Sequence, residues 1–412
     1  MAQSDVIVLG AGMVGTSTAL ALQQRGRNVL LLDRRPAGRE TSYGNAGLIQ
    51  IEAALPMEMP RALSELWRIA RKQGNDINWH LNAMPEHASA LLRYWLASSP
   101  ARLREIGKTW SQLTWRAGDD HAPLIAAAGA DHLIRKGGFR IGFSTEAAFD
   151  RSTREAQSFA AEYGRGLRLL DGDTLAAEEP ALTRPFVGAL QWTDTWACRN
   201  PGALVAAYAA LFEARGGQFE MSEVKSITPT AHGWSVQVDG AQHEAPEIVI
   251  AAGPWSARLI APLGYRVQIL RKRGYHRHFQ GGTPLNMMFS HAESRSVVVP
   301  MEQGNRVLTG AEIARENAPP TPVQLDRAEA AARTYMNLGS AVENMPWYGN
   351  RPCMPDMLPL AGKANRHNGL WLHFGHGHQG FTLGPTTSAV LADQMTTGVA
   401  AFPALSPARL GL

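Results

Sequence analysis

The chain has 412 residues, 45% hydrophobic and 18% charged, the make-up of a soluble globular protein too long for one average core and suited to two or three lobes. Forty Lys+Arg against 36 Asp+Glu leave a formal charge of +4, and no run of five or six like charges appears, which argues against a nucleic-acid partner. Only Cys198 and Cys353 occur, too few for a disulfide framework and wrongly spaced for zinc, so two isolated thiols in a reducing compartment are expected.

The N-terminus enters an apolar strand by Asp5 without a charged leader or cleavage site, and no apolar run reaches transmembrane length. A cytoplasmic protein is expected, at most peripheral on the inner face of the membrane, with a diffuse basic face toward anionic lipid left open. "DVIVLG" (Asp5–Gly10) reads as a buried parallel strand, Thr16–Gly26 as a helix ended by glycine, and "NVLLLD" (Asn28–Asp33) as a second buried strand. That is one strand–helix–strand crossover unit.

From Pro85 to Ala128 the pattern is helical and tryptophan-rich, broken at Pro100. A strand over 138–143, a helix over 151–163 and a helix from an Asn200 cap to about Arg215 follow. "QFEMSEVKSI", "WSVQVDG" and "EIVIAAG" read as strands, and Ser296–Ile313 as a hairpin turning at 302–305. A helix is expected over 322–338. Then comes "GNRPCMPDMLPLAG" (Gly349–Gly362), a rigid loop whose three prolines exclude helix and central strand. A last helix is expected over 386–397. Two interleaved lobes, not two consecutive domains, account for this order.

Gly10-x-Gly12-x-x-Gly15 directly follows a predicted strand and opens a predicted helix, with Ala11, Met13 and Val14 between the glycines. In that context the glycines allow a tight turn, close approach of a pyrophosphate and helix–strand packing. Asp33 ends the second strand, where a carboxylate would bond ribose hydroxyls. The motif alone does not separate NAD from FAD. The following stretch, Arg34 and Arg35 through "ETSYGNAGLI", is rich in small and hydroxyl residues.

In this order the fingerprint, "ETSYGNAGLI", "IVIAAGPWS", "NRPCMPDMLPLAG" and "GHGHQGFTLGP" resemble the D-amino-acid dehydrogenase and glycine oxidase superfamily of FAD enzymes, the DAO superfamily, over nearly the whole chain. The resemblance is closest to the bacterial D-amino-acid dehydrogenase branch. It implies an α/β (α+β) fold: a Rossmann-like FAD-binding lobe (1–85, 200–265, 345–412) interleaved with an antiparallel-sheet substrate-binding lobe (86–199, 266–344). It further implies FAD contacts from Thr41, Ser42, Asn45, Ala46, Gly47, Leu48 and Ile49, from Val224, and from Ala251, Ala252 and Gly253. At the flavin ring it implies contacts from Gly377, His378, Gln379, Gly380, Thr382 and Leu383.

His373, His376 and His378 suggest a metal, but no carboxylate or cysteine cluster accompanies them, so no metal is expected. By the resemblance Arg351 anchors a substrate carboxylate, with Tyr275 adding a hydrogen bond. From its position alone Tyr275 is equally a strand tyrosine at a lobe boundary. Cys353 is a bystander on this reading, since its spacing from Asp356 differs from that of the flavin-linked cysteine of related sarcosine oxidases, and Asp356 ties the loop.

The implied reaction is hydride removal from Cα of a D-amino acid, with cyclic D-imino acids such as a hydroxy-D-proline as a candidate subclass. Oxidation of N-substituted glycines and a non-catalytic accessory flavoprotein are the alternatives. The acceptor of the electrons, whether oxygen, a quinone or the respiratory chain, is not encoded in any motif.

Overall fold

The structure is a computed structural model and describes residues 4–412. In chain order its principal elements begin with strand β1 (Val6–Leu9), helix α1 (Met13–Gln23) and strand β2 (Val29–Asp33). Helices α2 (Leu63–Ala70), α3 (Met84–Ala97) and α4 (Pro100–Ala127) follow, then strands β3 (Phe139–Phe143) and β4 (Gly188–Trp192). Helix α5 (Pro201–Ala214) leads into β5 (Gln218–Met221) and β6 (Glu247–Ile250). Strands β7 (Leu270–Gly281), β8 (Ser296–Met301), β9 (Gly304–Leu308), β10 (Trp347–Cys353), β11 (Leu360–Lys363) and β12 (Leu370–Phe374) precede the closing helix α6 (Gly380–Thr397).

One sheet runs β5-β2-β1-β6-β12-β11, parallel except for the last pair. Its central strands are buried on both faces, which is why "VIVL" and "VLLL" carry no polar alternation. The second sheet is built around the long strand β7, which pairs antiparallel with β9 and β10; beyond β9 lie β8, β3 and β4. The fold is therefore mixed α/β, with a Rossmann-like lobe and an antiparallel lobe whose chain segments alternate. Asn200 caps α5 as expected, its side-chain oxygen accepting from the Ala203 N–H at 3.0 Å.

Three features differ from the sequence expectation. Helix α4, assigned above to the substrate lobe, packs Trp110, Leu113, Ala117 and Leu124 into the core formed around α1 and α6. Residues 347–353 are not loop: β10 is an edge strand antiparallel to β7, with Arg351 opposite Lys272 and Pro352 opposite Arg271. An edge accepts a proline because one side of the strand needs no donor. Third, α6 starts at Gly380 and runs through Pro385.

A proline inside a helix removes one N–H, so the carbonyl four residues earlier loses its partner. That carbonyl belongs to Phe381. His121 Nε2, from α4, lies 3.0 Å from it and 3.2 Å from the Thr382 carbonyl. Nε2 therefore carries the proton, and Nδ1 accepts from the Tyr208 hydroxyl at 3.0 Å. A histidine on one helix replaces the hydrogen bond that proline deletes from another.

His121, His373 and His376 are all buried beneath α6. Burial pushes His121 down to about 4 and His376 to about 3, and His373 well below the usual imidazole range. All three are neutral in the fold, whereas the unfolded chain protonates them below pH ~6.5. The unfolded state then binds more protons, so stability is complete above that pH and falls as the solution is acidified, by about 1.4 kcal/mol per pH unit per histidine. The melting temperature is expected to be nearly constant from pH 7 to 8 and to drop steeply below pH ~6; a flat profile down to pH 5 would overturn this account. His121→Phe should destabilise by about 1–3 kcal/mol in a denaturant titration, because the Phe381 carbonyl is left without a donor.

Candidate functional site

A cavity of about 1050 Å³ lies between the two sheets, at the upper end of the usual size of small-molecule sites. One wall is the C-terminal edge of the parallel sheet, where chain reversals leave a crevice beyond the strand ends. The other is made by β7, β10 and the segment 308–311, with α2 and α3 at the margin.

At the first wall the β1–α1 turn is possible only with glycine. Gly10 has φ +111°, and a Cβ on Gly15 would lie 1.7 Å from the Gly10 carbonyl oxygen. Helix α1 has no acidic residue in its first turn and no side-chain cap, so its N-terminal field is open to an anion. Asp33 accepts from the Ala11 N–H at 2.6 Å and the Arg35 N–H at 3.1 Å, and burial raises its pKa.

From this unit Gly10, Gly12, Met13, Val14, Asp33 and Arg34 line the cavity. Ala11 and Gly15 do not line it, and Arg35 is exposed to solvent. Val224, Ala251, Ala252 and Gly253 line the same end, where Arg34 also stacks over Trp255 at 4.3 Å.

The loop after β2 brings Thr41, Ser42, Asn45, Ala46 and Leu48 to the cavity, with Gly47 and Ile49 turned into the protein. Ser42 Oγ accepts from the Met13 N–H at 3.0 Å, joining loop and helix. Asn45 folds its side chain back onto the Gly47 N–H at 2.8 Å. A Cβ on Gly47 would lie 2.2 Å from the Cys198 carbonyl oxygen, so the asparagine and the glycine both shape this loop. Arg306, buried on β9, donates to the Tyr43 and Asn45 carbonyls at 3.0 and 2.8 Å. It was not foreseen, because nothing in "GNRVL" says which loop its side chain meets.

The N-terminus of α6 supplies Gly377, His378 and Gly380 to the cavity. Gln379, Thr382 and Leu383 lie just behind. Gln379 Nε2 donates to Gln50 Oε1 at 2.9 Å, while its own Oε1 is buried without a partner. Thr382 links the Gln50 N–H and the Leu48 carbonyl, and Leu383 belongs to the core. His373 is held by Thr18 and Thr387 hydroxyls at 2.8 and 2.9 Å, and His376 by Thr387 at 2.9 Å. His378 is only partly covered; burial, then the Lys272 and Arg351 cations, push it down to about 3, so it is neutral at physiological pH.

On the opposite wall Arg351 donates to the Gly310 carbonyl at 2.9 Å and the Thr309 carbonyl at 3.3 Å. Burial lowers its pKa, but a guanidinium stays charged. It lies flat over β7 at Gly274, where a Cβ would come within 2.7 Å of both terminal nitrogens.

Tyr275 requires a correction. Successive side chains on a strand point to opposite faces, so Gly274 faces the guanidinium and Tyr275 the other way. Its hydroxyl donates to Glu312 Oε2 at 2.5 Å and accepts from the Thr321 N–H at 2.9 Å, in a buried cluster that also contains Arg273. Tyr275 still borders the cavity, but its hydroxyl is already engaged in that cluster. Asp356 pairs with Arg409 at 2.7 Å and ties the proline-rich segment to the C-terminus, and burial raises the Cys353 pKa.

These residues fit a dinucleotide carrying a polar ring system. An open helix N-terminus and a carboxylate at the β2 end suit pyrophosphate and ribose. A second uncapped helix start, where Gly377, His378 and Gly380 line the cavity, suits a hydrogen-bonding heterocycle.

Comparison with known proteins agrees. Residues 5–394 match the DAO family, described as FAD dependent oxidoreductase. The chain is 27% identical to a D-amino-acid oxidase of Bradyrhizobium diazoefficiens, covering 95% of each chain. It is 28% identical to a D-amino acid dehydrogenase of Cereibacter sphaeroides, covering 94% of this chain and 91% of the relative. The crystal structure of glycine oxidase from Geobacillus kaustophilus superposes with a TM-score of 0.70 at 21% identity over 98% of both chains, a likeness of fold. With a crevice whose residues suit a dinucleotide and a family match from the first strand to the last helix, the chain belongs to the DAO family of FAD-dependent oxidoreductases.

Proposed function

We propose that the protein oxidises D-amino acids at Cα, yielding an imino acid that water hydrolyses to a 2-oxo acid and ammonia. Bound FAD supplies the hydride acceptor for this chemistry. The observation that carries the reading is Arg351: a cavity-facing guanidinium bonded to two backbone carbonyls and, among the described residues, to no carboxylate. A planar fork with donors to spare suits bidentate capture of a substrate carboxylate. The names of the full-length relatives given above support the D-amino acid class. Cyclic D-imino acids such as hydroxy-D-proline fall within it, and N-substituted glycines are the alternative within the same chemistry.

Residues Gly10 to Val14, Asp33, Ser42 and Ala251 to Gly253 hold the dinucleotide on this reading, and the α6 start with His378 faces the ring. Neutral His378 adds no second positive charge beside the substrate amine, which must itself lose its proton before hydride leaves.

The electron acceptor is oxygen or a quinone of the respiratory chain. Contact with the cytoplasmic face of a membrane is supported by α2, which buries none of its residues and leaves Leu63 83% and Trp67 61% exposed. Arg61, Arg71 and Lys72 surround that face, a combination suited to the surface of an anionic bilayer. No helix among the described residues is long and apolar enough to cross a membrane.

Anaerobic mixing of the yellow holoprotein with D-amino acids, D-proline derivatives and N-substituted glycines is expected to bleach the flavin with members of the first two groups. Bleaching by none of the panel would leave an accessory flavoprotein as the better account. Arg351→Lys should retain FAD yet lose about 100-fold in kcat/KM, since an ammonium cannot reproduce the fork. Gly274→Ala, which displaces the guanidinium without removing it, should raise KM about 10-fold with smaller change in kcat. In flotation with phosphatidylserine vesicles the protein should bind, and Trp67→Ser with Leu63→Ser should release it; binding unaffected by the pair would remove α2 from the account.

A further inference from the structure

We propose that the preferred substrate carries a second carboxylate, held by Lys272. The inference rests on the amino acid reading above and deepens it. Strand β7 bears four cations, Arg271, Lys272, Arg273 and Arg277. Each of the three arginines has a carboxylate partner, Arg271 with Glu86 and Glu316, Arg273 with Glu312 at 3.3 Å, and Arg277 with Glu329 at 2.9 Å. Lys272 alone forms no such pair among the described residues.

Lys272 faces the cavity, on the same side of β7 as Gly274, and its register partner across the ladder is Arg351. Two like charges set directly opposite each other destabilise a sheet unless something between them compensates. Glu58, at the cavity margin, is exposed and reaches neither cation within ion-pair distance. The ammonium is not loose: it sits 4.0 Å over the ring of Tyr94, whose hydroxyl is fixed on the Met57 carbonyl.

An amino acid of zero net charge needs one cation for its carboxylate, and Arg351 meets that need with the N–H groups it does not give to the Thr309 and Gly310 carbonyls. Lys272 is then one positive charge more than a neutral side chain requires. Around it the cavity is apolar, with Met84, Leu91, Tyr94 and Ile313, so a side chain ending in an anion gains a charge-assisted contact in a weakly screened place. The ligand chemistry is a short acidic amino acid of the aspartate or glutamate type, with Arg351 on one carboxylate and Lys272 on the other.

The test compares D-glutamate and D-aspartate with D-norvaline, an uncharged side chain of similar length, in anaerobic reduction of the FAD-loaded protein. The acidic substrates should be favoured in kcat/KM. Lys272→Met, which keeps the apolar stem, should lower the glutamate-to-norvaline ratio about 30-fold. Equal preference in the wild-type protein, or a ratio unmoved by the substitution, overturns the inference while leaving the D-amino acid reading intact. If no amino acid reduces the flavin, that reading fails. Binding of glutarate against butyrate, read from the flavin absorbance with FAD content checked in both variants, then decides the second-carboxylate site. Glutarate must bind more tightly and must lose that advantage in Lys272→Met.

Discussion

An arginine guanidinium laid flat over a bare stretch of β-strand is the contact on which this site depends. Arg351 reaches that position because Gly274, directly beneath it, has no side chain, and because the carbonyls of Thr309 and Gly310 accept from it. Backbone carbonyls orient the fork but do not neutralise it. A cation so placed is destabilising until an anion arrives, which is the usual condition of a group kept for binding and not for stability. Over most of its length β10 has a strand partner on one side only, which tolerates Pro352, and at its end Cys353 bridges to His376.

What could be read from the residues divides along the distance over which each feature is specified. The β1–α1–β2 unit was legible in detail because its strand, turn, helix and acid are consecutive, and each glycine meets a local steric demand. The helices α3 to α5 were legible for the same reason, through periodicity and prolines. Arg351 was found through resemblance, but its surroundings were taken for loop, since pairing with a strand eighty residues away leaves no local trace. Tyr275 failed on a finer point. Two neighbours on one strand face opposite ways, and only the partner strands decide which polar groups are already engaged: Tyr275 borders the cavity, but its hydroxyl is bonded to Glu312. Lys272 was overlooked for that reason too, hidden in a basic run whose other members are paired to carboxylates on distant elements.

Helix α6 was started six residues late because Pro385 reads as a boundary. The helix persists because His121 on α4 supplies the missing donor to the Phe381 carbonyl. The same logic disposes of the histidine-rich segment before it. His373 and His376 look like ligands when spaced along a string; in the fold both are closed into hydroxyl contacts with Thr18 and Thr387. Those contacts fasten β12 to α1 and α6, and so fix the angle at which the two helix N-termini open on the cavity.

Charge across the cavity then follows an order set by burial. The first wall offers helix N-termini, whose partial positive ends suit phosphates and an electron-rich ring edge. The second wall carries two full cations, Arg351 and Lys272, in register on adjacent strands. Between them His378 is kept neutral by burial and by those same cations, so protonation there would add a third positive charge to a weakly screened space. A substrate amine approaching as ammonium meets that repulsion as well, whereas the free amine does not. On the proposed reading, the arrangement that attracts carboxylates to one wall also favours the free amine, the protonation state that reading requires.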